Sequence, residues 1–224
     1  SINYMIGRIS YETGKKNNEF DDAISFLSAI PKESKYYPKA LYIQGIIEIK
    51  KAVSSQEQNY QHAIDFFKKI LSWNRVESLD IDSYKKIIRL AQLGLGRAYF
   101  SQGEFAKAIE YYNLVPRFSE DWYDAMFEEG WAHLWLQEYG KALGEVQSIQ
   151  SPYYDGRYRP ESWVLKATSY FNNCHFDRVS KSLDNFFKIY EPMVHELEKL
   201  LQPNVTEDML FRLASTSSQY QDLK

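Results

Sequence analysis

The feature that most constrains this chain is a short pattern that returns five times: an aromatic residue, two mostly polar residues, then a small one. It stands at Phe20-Asp-Asp-Ala23, Tyr60-Gln-His-Ala63, Phe105-Ala-Lys-Ala108, Tyr139-Gly-Lys-Ala142 and Phe176-Asp-Arg-Val179, with the aromatics 40, 45, 34 and 37 residues apart. Four residues after each small one come Leu27, Phe67, Tyr112, Val146 and Leu183; seven after come Ile30, Ile70, Val115, Ile149 and Phe186. Offsets of 0, 4 and 7 share one face of an α-helix. Every such position is apolar in a chain that is only 44% hydrophobic, so an amphipathic helix recurs at the period of a helical array.

A second helix precedes each of these. Gly96 (in Gly96-Arg-Ala-Tyr99), Gly130 and Ala167 lie twelve residues before Ala108, Ala142 and Val179. A small residue there lets the facing helix come close. Gly45 stands eighteen before Ala63 and Gly7 sixteen before Ala23, so longer inter-helix loops are expected at Val53–Asn59 and Gly14–Asn18. Pro31, Pro38, Pro116, Pro152 and Pro160 fall between periodic segments, as helix boundaries require.

Helices of about 12 to 16 residues are marginal alone in water, so stability has to come from stacking on neighbours. Lys50–Asn59 and Ser72–Ser83 are the expected weak points, the second before a long helix at Tyr84–Gln102. Pro192 suits the first turn of a further helix running to Gln202. Thr206-Glu-Asp then reads as the cap and acidic first turn of a last one, with Met209, Leu210, Leu213 and Ala214. These two helices most simply cover the open end of the array, or else link to a downstream region.

The patterns Trp163-x-x-x-Ala167-x-x-Tyr170…Val179-x-x-x-Leu183 and Leu95-Gly96-x-x-Tyr99…Ala108-x-x-x-Tyr112 resemble the tetratricopeptide repeat (TPR). The resemblance covers about residues 2 to 190 and is best over 84–116; Glu48 replaces the usual first-helix aromatic in the second unit. It implies an all-α, TPR-like right-handed α-α superhelix of about five pairs, at about 1–31, 36–72, 84–116, 120–150 and 160–190, with 191–224 as capping helices of the same domain. The run Ser151-Pro-Tyr-Tyr…Arg159-Pro-Glu…Lys166-Ala-Thr-Ser-Tyr170…Cys174-His-Phe-Asp177 is similar to segments of bacterial cell-envelope TPR proteins, including outer-membrane-associated and gliding-motility components. That resemblance implies a periplasmic scaffold in a multiprotein machine.

Composition removes several function classes. A net charge of −3 offers no overall field for nucleic acid or an anionic membrane. Cys174, the one cysteine, forbids an intramolecular disulfide but leaves the compartment open between periplasm and cytoplasm. No apolar run approaches the roughly 20 residues of a membrane span. The chain opens with Ser1-Ile-Asn-Tyr4 and not Met, so it reads as a piece of a longer protein; any signal peptide or lipid anchor would then lie outside it.

Chemistry is sparse. His62, His133, His175 and His195 are scattered without ligand spacing, and Cys174-His175 sits at a turn with no acid cluster. No phosphate loop or nucleophile elbow occurs, and no catalytic residue, metal or cofactor is expected. Asn204-Val-Thr206 fits a common glycosylation sequon. The loop Tyr153–Arg159, with Arg157, Tyr158 and Arg159, could take a phosphate, glycan or acidic peptide; packed tyrosines and acid-paired arginines are the plainer reading.

In TPR arrays the first helix of each pair lines a concave groove. Aligning Gly45, Gly96, Gly130 and Ala167 places Tyr42, Ile46, Ile49 and Lys50; Leu93, Arg97, Phe100 and Ser101; Phe127, Trp131, Leu134 and Trp135; and Val164, Thr168, Phe171 and Asn172 toward it. The TPRs that bind chaperone tails hold a peptide carboxylate with Lys and Asn at such positions, and those residues are missing here. An aromatic groove for an amphipathic helix or extended apolar peptide remains, with Trp131 and Trp135 as its sharpest candidates. The alternative occupant is the chain's own C-terminal part. Function therefore reads as a non-enzymatic protein-binding scaffold, or alternatively as a regulatory or accessory TPR domain of a larger enzyme or signalling protein.

Overall fold

Each recurring aromatic stands where a helix begins. The computed structural model describes residues 1–55, 59–74, 81–154, 157–201 and 206–209. Its helices are α1 (Ile2–Gly14), α2 (Asp21–Ser28), α3 (Tyr37–Ser54), α4 (Gln61–Leu71), α5 (Ile81–Ser101), α6 (Phe105–Tyr112), α7 (Trp122–Trp135), α8 (Tyr139–Ile149), α9 (Glu161–Asn172) and α10 (Phe176–Leu200), with a 3-10 turn at Pro152–Tyr154. Phe20 and Tyr60 cap α2 and α4, while Phe105, Tyr139 and Phe176 are the first residues of α6, α8 and α10. No strand occurs among the described residues. The fold is all-α and TPR-like, built of consecutively paired helices.

Two compact units divide the chain, Ser1–Glu138 and Tyr139–Lys224. In the first, α1 packs on α2, α3 on α4 and α5 on α6, while α4 also meets α5 and α6 meets α7. In the second, α9 lies against both α8 and α10.

The close approach of the paired helices has a specific cause. A Cβ on Gly7 would stand 2.8 Å from Leu27, and one on Gly45 would stand 2.6 Å from the Phe67 ring. Gly96 is pressed by Tyr112 in the same way, and Gly94 by the other side of Phe67. The small residue on the first helix is thus the seat for the large residue four places after the small residue of the second. Ala23, Ala63, Ala108 and Ala142 are fully buried, and so are the apolar residues four and seven places after each. The fifth segment departs from this: Val179 and Phe186 are only half-buried and Leu183 is 42% exposed.

The turns within pairs share one geometry. Asn18, Gly103, Gln137 and Cys174 each precede the recurring aromatic by two residues, and each has φ between 57° and 77°. The next N–H in each case reaches five residues back: Glu19 to Gly14, Glu104 to Tyr99, Glu138 to His133 and His175 to Tyr170, at 2.9 to 3.1 Å. This Schellman-type closure ends the first helix and launches the second. It also gives Cys174 its place, as an exposed turn residue.

Several boundaries differ from the expected ones. α3 runs on through Lys50–Ser54, because Ala52 is buried and no residue there breaks a helix. α5 already includes Ile81, ahead of the expected Tyr84, and residues 75–80 of the expected connector lie outside the described residues. Pro38 is inside the first turn of α3, where a missing N–H is harmless. Pro192 does not open a helix; it lies within α10. Both Pro192 and Lys188 are exposed, so water can satisfy the Lys188 carbonyl that Pro192 leaves without a donor. Of the last expected helix, residues 207–209 are helical and Met209 N–H reaches Thr206 Oγ1 at 3.4 Å. Leu210, Leu213 and Ala214, like the sequon Asn204, lie outside the described residues.

Candidate functional site

In the first unit the expected groove positions fall on α3, α5 and α7. Tyr42, Ile46 and Ile49 are half-buried, lying on the core that α3, α4 and α5 share. The Tyr42 ring is 5.9 Å from that of Phe67. Lys50 is half-buried and Ser101 exposed, whereas Leu93 is a core residue.

Arg97 projects from α5 but is already engaged. Its Nε donates to both carboxylate oxygens of Glu128 on α7 at 2.9 Å, and Nη2 donates to Oε1 at 2.5 Å. Burial opposes the guanidinium charge, yet the hydrogen bonds and charge of Glu128 outweigh it and hold Arg97 protonated beyond the ordinary arginine range. Glu128 also accepts the Tyr112 hydroxyl, whose pKa is pushed well up, first by burial and then by the Glu128 charge. Burial raises Tyr42 as well, with the nearby Arg97 charge opposing. The result is a polar node tying α5, α6 and α7, in which Arg97 would have to leave Glu128 to grip a partner's carboxylate.

Beside the node the aromatic residues separate into two groups. Trp135 stacks flat on Phe105, with centroids 5.7 Å apart and planes at 7°, and Phe100 meets Phe105 edge-on at 5.2 Å. Trp135 is 60% exposed, so one face of its indole is covered and the other is open. Phe127 and Trp131 instead contact each other at 6.4 Å and are half-buried. Leu134 does not join the surface: it is 8% exposed and belongs to the buried side of α7, because the residue beside it, Trp135, takes the outward direction. Phe105, Glu128 and Tyr112 are the members of this site that position counting along first helices passes over. The signal for Phe105 is its place as the aromatic that opens the second helix.

In the second unit Thr168 is half-buried on α9, and its carbonyl accepts Asn172 Nδ2 at 2.9 Å. Val164 is exposed, and Phe171, also exposed, packs edge-on against Phe176 at 5.7 Å, repeating the Phe100–Phe105 relation. In the loop, the Arg157 guanidinium lies over the Tyr154 ring at 5.6 Å and Tyr158 meets Tyr190 at 5.6 Å. Arg159 is half-buried. These residues are engaged in packing; residues 155–156 of the loop lie outside the described residues.

Titratable groups also gather around His133. His133, buried on α7, faces Glu138 Oε2 at 2.6 Å from Nδ1 and Glu129 Oε1 at 3.4 Å from Nε2. Asn113 Nδ2 donates to the same Glu129 oxygen at 2.8 Å. Among the described residues no group of three or more His, Cys, Asp or Glu is arranged to hold a metal ion, and no helix is long and apolar enough to cross a membrane.

Comparison with known proteins agrees with this architecture. The chain is 28% identical over 156 residues to bovine (Bos taurus) peptidyl-prolyl cis-trans isomerase FKBP4, an alignment that takes in 68% of this chain and 32% of that protein. The chain thus spans about a third of the curated relative it matches. Residues 90–117, which run from α5 through α6, match the tetratricopeptide repeat family model, so the chain contains a TPR, a module of protein–protein interaction.

Proposed function

We propose that this chain is a non-catalytic scaffold that holds a segment of a partner protein against the aromatic surface of its first unit. The observation that carries the reading is Trp135: a large indole fixed on one face by Phe105 and open to solvent on the other. A ring held in place by packing loses little conformational freedom on binding, which is why aromatic anchors dominate interface energetics. Tyr42, Ile46, Phe100, Phe127 and Trp131 extend the apolar surface, and the Arg97–Glu128 pair supplies polar register. An amphipathic helix or extended apolar peptide suits that combination better than a free carboxyl terminus. Thr168 and Phe171 would offer the same chemistry in the second unit, with Arg157, Tyr158 and Arg159 as a secondary loop contact.

The test is a peptide-display selection on the immobilised chain, followed by calorimetry of an enriched peptide. Apolar and aromatic sequences are expected, with affinity falling at least about tenfold in Trp135→Ala while the melting temperature holds. Equal binding to the folded variant overturns the assignment.

The second reading, an accessory domain of a larger enzyme, draws on the relative's name, an isomerase of which only a third is matched. The full open reading frame decides it: a catalytic domain beside this one supports the second reading. A bacterial cell-envelope location rests on the resemblance of residues 151–177 alone, and fractionation of the native cell with an antibody to this chain tests it.

A further inference from the structure

The position four residues after the repeat's small residue is buried in the first four segments and bare in the fifth, at Leu183. Leu183 begins a stripe along α10. Phe187, Val194, Leu197 and Leu201 follow it, all exposed, with the half-buried Tyr190 between. The intervals from Leu183 are four, three, four, three and four residues, the spacing of a seam that receives another helix. Val179, Ser182 and Phe186 face inward beside this stripe, so α9 covers one flank of the helix and leaves the other open.

The open flank has a charged border. Asp184, Glu191 and Glu198 recur every seven residues, each directly after a stripe residue. The basic groups Lys181, Lys188 and His195 stand one row further from the stripe, three or four residues from these acids, with Lys199 beyond them. Lys199 is drawn to Glu196 at 2.7 Å, and His195 is 3.9 Å from Glu198. Asp184 and Glu191 make no ion pair among the described residues.

We infer that this face of α10 docks an amphipathic helix of another protein, one whose apolar stripe is flanked by lysine or arginine. A helix matching residues 183–201 would span about 27 Å at 1.5 Å per residue. A second copy of this chain fits less well. Paired antiparallel, the two acidic rows would meet each other; paired parallel, each would meet the apolar row Phe186, Met193 and Leu200. The chain's own C-terminal sequence also lacks the required charge, because Glu207, Asp208 and Asp222 outnumber Arg212 and Lys224.

The experiment uses two labelled helical peptides of about 20 residues, alike in their leucine stripe. One carries lysines along the flank, the other glutamates. Fluorescence anisotropy with the whole chain should give at least about tenfold tighter binding of the lysine peptide, weakening with salt. Val194→Asp/Leu197→Asp should abolish that binding. Glu191→Lys/Glu198→Lys, which leaves the stripe intact, should transfer the preference to the glutamate peptide, and circular dichroism checks that both variants remain helical. Equal binding of the two peptides, or no response to either double variant, overturns the proposal. So does a concentration-dependent dimer in sedimentation that Val194→Asp/Leu197→Asp disperses, which assigns the face to a second copy. Tighter binding in Phe211→Asp/Leu213→Asp overturns it too, since the chain's own tail would then be the occupant.

Discussion

The ring of Phe67 fills the space that Gly45 leaves, so closely that a Cβ on Gly45 would lie 2.6 Å from ring carbon Cε1. Gly94 presses the same ring from α5, with a Cβ there 2.8 Å away. One fully buried side chain on α4 therefore sets how near both α3 and α5 can come. Gly45→Ala cannot be absorbed by moving a flexible chain end, because a ring in a packed core is what it meets. Overpacking of this sort destabilises by about 1–3 kcal/mol. Urea denaturation should show that loss for Gly45→Ala and Gly94→Ala, whereas Gly140→Ala and Gly144→Ala, which meet open space on α8, should not lower stability. Unchanged midpoints in the first pair would show that α4 shifts freely.

Four of the turns within helix pairs ask for left-handed backbone, and only Gly103 answers with glycine. Cys174 has φ of 57° and Gln137 has φ of 62°. Relieving a non-glycine residue of that conformation is worth about 1 kcal/mol, offset in part by the freer unfolded chain. Cys174→Gly should raise the melting temperature by a few degrees without altering helix content. The reciprocal Gly103→Ala should lower it. A Cys174→Gly variant less stable than the parent would mean that its side chain makes a contact worth more than the strain.

Much of the fold was readable because it is written locally and repeatedly. The aromatic, the small residue and the apolar positions at offsets of four and seven mark every second helix, and the glycine seats mark their partners. What could not be read depends on surroundings. Pro192 ends helices whose carbonyls are buried, but on the solvent side of α10 water completes the missing bond. Leu134 and Trp135 are neighbours on α7 and equally apolar, and only the packing of α6 against α7 decides that Leu134 turns inward while Trp135 turns out onto Phe105. Arg97 counts as a groove position in the sequence, and its pairing is hidden there because Glu128 is 31 residues away.

The cluster at His133 predicts a pH dependence. Burial works against its protonation, but hydrogen bonds and charge from Glu129 and Glu138 outweigh that and raise its pKa above the ordinary value. A raised native value means that the folded chain binds the proton more tightly than the unfolded one. The stabilisation is therefore complete below about pH 6.5, the unfolded value, and is lost as pH rises through the higher native value. Unfolding free energy should fall as pH rises above about 6.5, by at most about 1.4 kcal/mol per pH unit from this group. His133→Gln should flatten the slope, since Gln neither gains nor loses a proton there. The same slope in the variant would assign the dependence to other groups.

The Arg97–Glu128–Tyr112 node predicts an asymmetry. Tyr112 is buried, so a variant that removes its acceptor leaves a hydroxyl without a partner inside the core. That costs about 1–3 kcal/mol. Arg97 is partly exposed, and its loss leaves Glu128 still bonded to Tyr112; exposed pairs contribute about 0.2–1 kcal/mol. Glu128→Ala should therefore be more damaging than Arg97→Ala. Adding Tyr112→Phe to Glu128→Ala should recover part of the loss, because the orphaned hydroxyl is gone while the ring still fills the seat at Gly96. Urea denaturation of the two single variants and the double variant gives the coupling directly. Simple additivity would show that the hydroxyl finds water once Glu128 is removed, and that the node is held by the Arg97–Glu128 pair alone.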